Sequence, residues 1–469
     1  MRLWTSVALA AVFALAPPGV AAHTELERSW PAAGEQVAAP LAEIRLRFTQ
    51  AVEAAYTSLR LIGPDGKEVR AATLTVVEGS GRREFISARP AFHQPGEYRV
   101  EWRTAGADGH PIEGAFTFVV TAMAVVRDSG LTPPTDPSAA VPEPHAVAAQ
   151  EARAPGPTPG WLDVGSPLQI AVRWLYFAAL IATIGAVAFR LIVVRRVERA
   201  GRHAAALIIA DRAVWSGAAA AAAVLASAAV IRLWLQSATL HGLARAWDPG
   251  LLAAYLTTTG WGRAWLLQAA LLVLLAVALA AARGGRPRGW RLAAGAAVGL
   301  GVIPALSGHA AAVESFRFLA TALDWLHVLA ASLWLGMLLV MLWVIASLYR
   351  ADELPDRLDG IAALVRRFSP LALLGAGVLL TSGLGNAFFH FHTLSEVWRT
   401  SYGQALLLKL TLLGVVALLG FYNWRVVRPR LGTEPTTARL RRSASAELTV
   451  GALVVLITAV LVALPTPKP

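Results

Sequence analysis

Asp108 and His110 stand two residues apart in "TAGADGHPIEGAFTFVV" (residues 104–120), so in an extended chain both side chains fall on one face. A carboxylate beside an imidazole is either a solvated surface pair or half of a metal site. The other half is on offer at the start of the chain. Residues 1–22 read as a secretory signal: Arg2, the apolar core "LWTSVALAAVFALA", then "VAA", with small residues where signal peptidase needs them. An uncleaved first span is the alternative, but the core is short and polar sequence follows. Cleavage after Ala22 makes His23 the first residue, whose free α-amine and imidazole Nδ1 chelate one ion in a single ring. His110 adds a third nitrogen and Asp108 an oxygen. Such a tetragonal set of nitrogen and oxygen donors suits Cu(II). The chain has no cysteine, so neither thiolate ligands nor disulfides enter.

The elements that must hold these residues follow from composition. The chain has 469 residues, 56% of them hydrophobic and 15% charged. Its mean hydropathy of +0.54 is that of a protein with several bilayer spans. Residues 23–122 are different in character. "EIRLRFTQAVE", "TSLRLIG", "AATLTVVEG", "REFISARP", "EYRVEWRT" and "AFTFVV" alternate like strands, and "GPDGKE", "GSGRR" and "HQPGE" separate them with turn chemistry. These short strands predict an all-β sandwich of the immunoglobulin or cupredoxin-like Greek-key kind. Residues 123–163 are rich in proline and alanine and read as an extended linker. Residues 164–469 form an all-α polytopic membrane domain. Eight apolar runs are long enough to span: about 167–194, 213–237, 262–282, 290–309, 319–348, 368–389, 403–424 and 445–464.

Arginine orients the array. Loops 190–212, 283–291, 350–367 and 425–442 carry 6, 4, 4 and 6 Lys/Arg, whereas the alternate loops carry one each: Arg245, Arg317 and Arg399. The positive-inside rule makes the first set cytoplasmic. The β-domain and the C-terminus then lie on the periplasmic side of a bacterial inner membrane. The net charge of +12 is thereby explained by topology rather than by a nucleic-acid surface. The only Gly-Lys pair, Gly66-Lys67, lacks the spacing of a phosphate-binding loop, and no large cytoplasmic domain is present to hold ATP. Neither a primary pump nor an enzyme is indicated.

Within the membrane half, His241, His309, His327, His390 and His392 fall in or near the outer ends of the spans, while His203 alone lies on the inner side. Ionisable groups inside a span are costly and mark function. His309 in "LSGHAAA" and His327 in "ALDWLHVLAASLWLGM" are the stronger pair. The "FFHFH" histidines, His390 and His392, fit equally well as interfacial groups bonded to loops, and His241 is a weaker candidate. Asp324 precedes His327 by three residues and shares its face. At 100° per residue Met341 returns to within about 40° of His327 and Met337 to about 80°. The fifth run thus offers Asp324, His327 and then thioether sulfur in order, a path for Cu(I), or else two methionines filling core gaps. Lys409 is a further charge in the seventh run that needs a partner. Histidines of the fourth and fifth runs also suit the axial positions of a b-type haem, the redox alternative.

Two resemblances extend these readings. "HTELERSWPAAGEQVAAPLAEIRLRFTQAV" with "GEYRVEWRTAGADGHPIEGAFTFVV" resembles the periplasmic copper-binding CopC family. The resemblance implies a Cu(II) site of His23, Asp108 and His110. The methionine-rich loop of some members is missing, since the only methionines are Met1, Met123, Met337 and Met341. "GWGRAWLLQAALL", "SGHA", "DWLHVLAASLWLG", "TSGLGNAF", "YGQALLLKL" and the closing "ELTVGALVVLITAVLVALP" are similar to the CopD family of membrane copper-resistance proteins. Together they imply a CopC–CopD fusion that captures copper in the periplasm and imports it for homeostasis or resistance. A periplasmic copper donor and a cytoplasmic acceptor are its implied partners. The competing expectations are a membrane redox protein and a copper buffer or sensor that moves nothing.

Overall fold

The structure is a computed structural model. It describes residues 26–121, with breaks at 40, 50, 53–56, 70–73, 82, 93 and 106–110. It also describes residues 160–464, with breaks at 162–164, 242, 308–316, 352, 353, 355, 389, 390, 392 and 394. These residues form two compact units, a β-sandwich and a helical bundle. The signal segment and nearly all of the linker lie outside the described residues.

The sandwich has a four-stranded sheet in the order β1-β3-β7-β6, made of β1 (Leu26–Trp30), β3 (Leu41–Phe48), β7 (Glu84–Phe92) and β6 (Leu74–Val76). Facing it is a five-stranded sheet in the order β2-β9-β8-β4-β5, made of β2 (Gln36–Ala38), β9 (Pro111–Thr121), β8 (Gly96–Ala105), β4 (Ser58–Ile62) and β5 (Glu68–Val69). Alternation does the work: Ile44, Leu46 and Phe48 of β3 and Tyr98, Val100 and Trp102 of β8 point inward and are buried. Phe48 meets Trp102 edge-on with ring centroids 5.2 Å apart, which ties the two sheets at one end. Strand β9 begins earlier than alternation alone suggests, because Gly114 permits it. Gly114 is paired with Trp102, and a Cβ there would stand 2.6 Å from the indole. The indole occupies the space a side chain would need.

Eight helices are long and apolar enough to span: α1 (Pro167–Glu198), α2 (Ala204–Leu240), α3 (Gly260–Arg283), α4 (Arg288–Leu306), α5 (Phe318–Arg350), α6 (Arg357–Ala387), α7 (Ser401–Arg430) and α8 (Glu434–Leu461). They match the eight apolar runs. However, α2, α6 and α8 begin about three turns before their apolar runs do, at the arginine-rich end. Long arginine stems can lie along apolar surface while their heads reach water, so these turns need no apolar composition. Ser166, Thr259 and Thr400 cap α1, α3 and α7, each accepting a backbone N–H with its side chain.

Three spans contain π-helical segments: Phe189–Val194 in α1, Ser332–Gly336 in α5 and Asn423–Val427 in α7. The α5 segment lies where α5 crosses α1. There Gly336 abuts the Ile181 carbonyl and Gly185 abuts the Gly336 backbone, so a Cβ on either glycine would overlap main chain.

Candidate metal-handling sites

The connection that carries Asp108 and His110 runs from Ala105 to Pro111, which are the last paired residues of the β8–β9 hairpin. His23, Asp108 and His110 themselves lie outside the described residues. The flanking strands nevertheless bring their attachment points together. Leu26 pairs with Phe48, Phe48 packs on Trp102, and Trp102 stands three residues before Ala105. The start of β1 and the β8–β9 connection therefore emerge at the same end of the sandwich. The three residues back from Leu26 to His23 can reach about 10 Å. The last glycine of the D-G-H-P-x-x-G motif, Gly114, is the floor of this end, beneath Trp102.

In the membrane bundle the residues around His327 form a built polar station. Asn386 Nδ2 donates to Asp324 Oδ1 at 2.9 Å, joining α6 to α5. One turn inward, His327 Nδ1 stands 3.1 Å from Ser382 Oγ. The single hydroxyl hydrogen of Ser382 is directed at the Val378 carbonyl, 2.7 Å away. With that hydroxyl turned to the α6 backbone, Nδ1 is placed as the donor to Ser382 Oγ, and the tautomer that does so keeps the Nε2 lone pair, the arrangement that readies a histidine for a metal. Gly383 lies against the ring: a Cβ there would stand 3.0 Å from His327 Cε1. From α7, the charge of Lys409 acts on both His327 and Asp324, and Tyr402 also lies in the field of Asp324. The carboxylate whose charge acts on Lys409 is thus Asp324. Ser382, Gly383 and Asn386, which sequence reasoning did not single out as site residues, all belong to "TSGLGNAF". The signal was their spacing, since Ser382 and Asn386 are four apart and present one helix face.

The two methionines expected to follow His327 are placed in the apolar core. Met337 and Met341 are fully buried in the apolar cluster shared with α1 and α2. Trp334 belongs instead to the cluster shared with α6, α7 and α8. The 100° arithmetic assumed an unbroken α-helix. The π-helical segment Ser332–Gly336 lies between His327 and both methionines and shifts the register. The methionines fill core here. His241 stands at the end of α2, where only its backbone is described, and His309, His390 and His392 lie outside the described residues. Among the described residues no three histidine or acidic side chains gather as a complete metal site.

Comparison with known proteins agrees with this division of the chain. The CopC domain family matches residues 26–121, the N-terminal domain of copper resistance protein D-like proteins matches residues 162–319, and copper resistance protein D matches residues 362–461. The copper transport protein CutJ of Bacillus subtilis (strain 168) is 28% identical over 474 residues, covering 99% of this chain and 78% of that protein. Copper resistance protein C of Pseudomonas syringae pv. tomato is 34% identical over 103 residues, covering 21% of this chain and 81% of that one. The crystal structure of CopC from Methylosinus trichosporium OB3b covers 21% of this chain and 95% of its own at 32% identity, with a TM-score of 0.20. With a copper transport protein aligned along nearly all of this chain, the polypeptide carries a CopC domain joined to the membrane domains of copper resistance protein D.

Proposed function

We propose that this protein is an inner-membrane copper importer that captures Cu(II) with its sandwich and passes it to the bundle. A signal peptide over residues 1–22 is removed, and His23, Asp108 and His110 bind the ion at the end of the sandwich where β1 starts and the β8–β9 hairpin turns. The linker over residues 123–163 keeps the loaded sandwich at high local concentration beside the membrane domain, residues 164–469. The ion then meets His327 and Asp324 at the arginine-poor, outward end. The observation that carries the reading is the His327 station: an imidazole with Nδ1 committed and Nε2 available, beside a carboxylate, inside a span. Groups so costly to bury mark a path for ions. Because this station offers nitrogen and oxygen rather than sulfur, handover keeps the ion in the ligand class that captured it, and no reductant is required at this step. A negative-inside potential favours inward movement by ~2.3 kcal/mol per charge per 100 mV.

The test is Cu(II) uptake into liposomes carrying the full-length protein, with His327→Ala and a form bearing one extra residue before His23. The extension should abolish high-affinity Cu(II) capture while leaving uptake at saturating copper, and His327→Ala should abolish uptake while leaving capture. Unchanged capture by the extended form overturns the N-terminal chelate. Uptake by His327→Ala at the normal rate overturns the path, and a Soret band in the purified protein moves the assignment to a haem protein.

A further inference from the structure

A second buried polar cluster lies deeper in the bundle, and the import path does not use it. Glu447 of α8 is 4% exposed. Its Oε1 accepts from Trp334 Nε1 at 2.8 Å and its Oε2 from Asn423 Nδ2 at 3.0 Å. Trp334 sits in the π-helical segment of α5, and Asn423 opens the π-helical segment of α7. Two of the three π-helical segments among the described residues of the bundle thus converge on one carboxylate. Such segments recur at functional sites because they re-aim side chains that a regular helix would point elsewhere. Gly420 on α7 leaves room for the carboxylate: a Cβ there would stand 3.3 Å from Oε1.

Among the described residues the indole and the amide are its hydrogen-bond donors, and no cation forms an ion pair with it. The charged and titratable groups on the surrounding helices are engaged elsewhere or lie outside its reach. Arg173 of α1 donates to the Ala459 carbonyl, Tyr349 of α5 donates to Glu434, and Lys409 of α7 acts on His327 and Asp324. Tyr422 and Arg425, which flank Asn423, do not act on it either. A lone carboxylate with two neutral donors in an apolar setting is costly as an anion. It suits poorly a soft or borderline metal ion, since among the described residues no group of histidines and carboxylates gathers around it. It suits a proton. The polar cluster extends toward the arginine-rich side: Ser443, one turn nearer that end on α8, donates to Asn423 Oδ1.

We propose that Glu447 is a proton-binding site of the membrane domain, exchanging its proton with water that reaches it from the arginine-rich side past Asn423 and Ser443. In the exchange hydronium gives one proton to a carboxylate oxygen and is left as water, and the reverse step returns it, while the Asn423 amide and the Ser443 hydroxyl keep their own hydrogens. Trp334 lies seven residues from His327, about 10 Å along α5. Occupation of the outer station and protonation of the inner one are therefore linked through a single helix, and each ion passed is accompanied by movement of one proton. This coupling rests on the import reading; the proton site does not.

Two measurements separate them. Infrared spectra of the purified full-length protein, taken across a pH series, should show the carbonyl stretch of a protonated carboxylic acid that comes and goes reversibly. It should be missing in Glu447→Gln and shifted in Trp334→Phe, which keeps the carboxyl and removes one donor. In liposomes with a trapped pH dye, Cu(II) uptake by the wild type should change the internal pH, and Glu447→Gln should lose that change. A titrating band that persists in Glu447→Gln overturns the site. Copper uptake with no pH change, or a pH change that survives Glu447→Gln, overturns the coupling. If no copper enters, the import reading fails and the infrared comparison alone decides the proton site. If Glu447→Gln does not fold, the Trp334→Phe shift carries the test, and an unshifted band rejects it.

Discussion

At the scale of single residues the bundle spends most of its specificity on one imidazole. Ser382 Oγ faces Nδ1 of His327, Gly383 lies against the ring, and Asn386 holds the neighbouring carboxylate. Removing such a supporting group typically weakens metal affinity about 10- to 100-fold. Ser382→Ala should therefore raise the Cu(II) concentration needed for half-maximal uptake by that factor while the protein keeps its fold, as measured by uptake titration and circular dichroism. Uptake insensitive to Ser382→Ala would show that the ring needs no such support. Sequence revealed His327 and Asp324 because charge inside an apolar run is conspicuous. It did not reveal Ser382 or Asn386, because neutral polar residues are ordinary in spanning helices and only the packing of α6 on α5 gives these two a task.

At the scale of elements, the strands were legible where they alternate and obscure where they do not. Strand β3 declares itself through Ile44, Leu46 and Phe48, whereas β1 and β2 are short, largely exposed strands stabilised by their partners. Helical phase failed beyond Ala331, since nothing in "SLWLG" announces a π-helical turn; the crossing with α1 imposes it. Strand β8 carries a pH dependence of its own. Tyr98 is buried and donates to the Gln94 carbonyl, and burial, reinforced by the charge of Asp65, raises its pKa above the ordinary 10.0. The folded sandwich therefore retains a proton that the unfolded chain has lost. Tyr98 contributes fully below the unfolded value, and its contribution falls away as pH rises through the folded one. Unfolding of the sandwich followed by near-ultraviolet circular dichroism should show stability dropping above about pH 10. Tyr98→Phe should flatten that alkaline limb at a cost of about 1 kcal/mol at neutral pH. An alkaline limb unchanged by Tyr98→Phe would assign the drop to other groups.

At the scale of the whole molecule, the eight spans and their arginine bias could be read directly, because hydropathy and charge need no tertiary context. The proposed orientation can be checked with unusual ease, since the chain has no cysteine to remove. A single cysteine at Arg202 should react with an impermeant maleimide only after cells are permeabilised, and one at Thr393 should react in intact cells. The reverse pattern would invert the topology and with it the direction of capture.

The crossing of α1 and α5 has a mechanical consequence. Where Gly185 and Gly336 meet, main chain touches main chain, with no side chains between them to swing or repack. Two helices so joined cannot slide without breaking the contact, so the pair is a fixed post within the bundle. The least enclosed span is α7, which exposes most of its length and carries both Lys409 of the outer station and Asn423 of the inner one. Rocking α7 against that fixed post would loosen one station as it tightened the other, an alternation that needs no hinge within any helix.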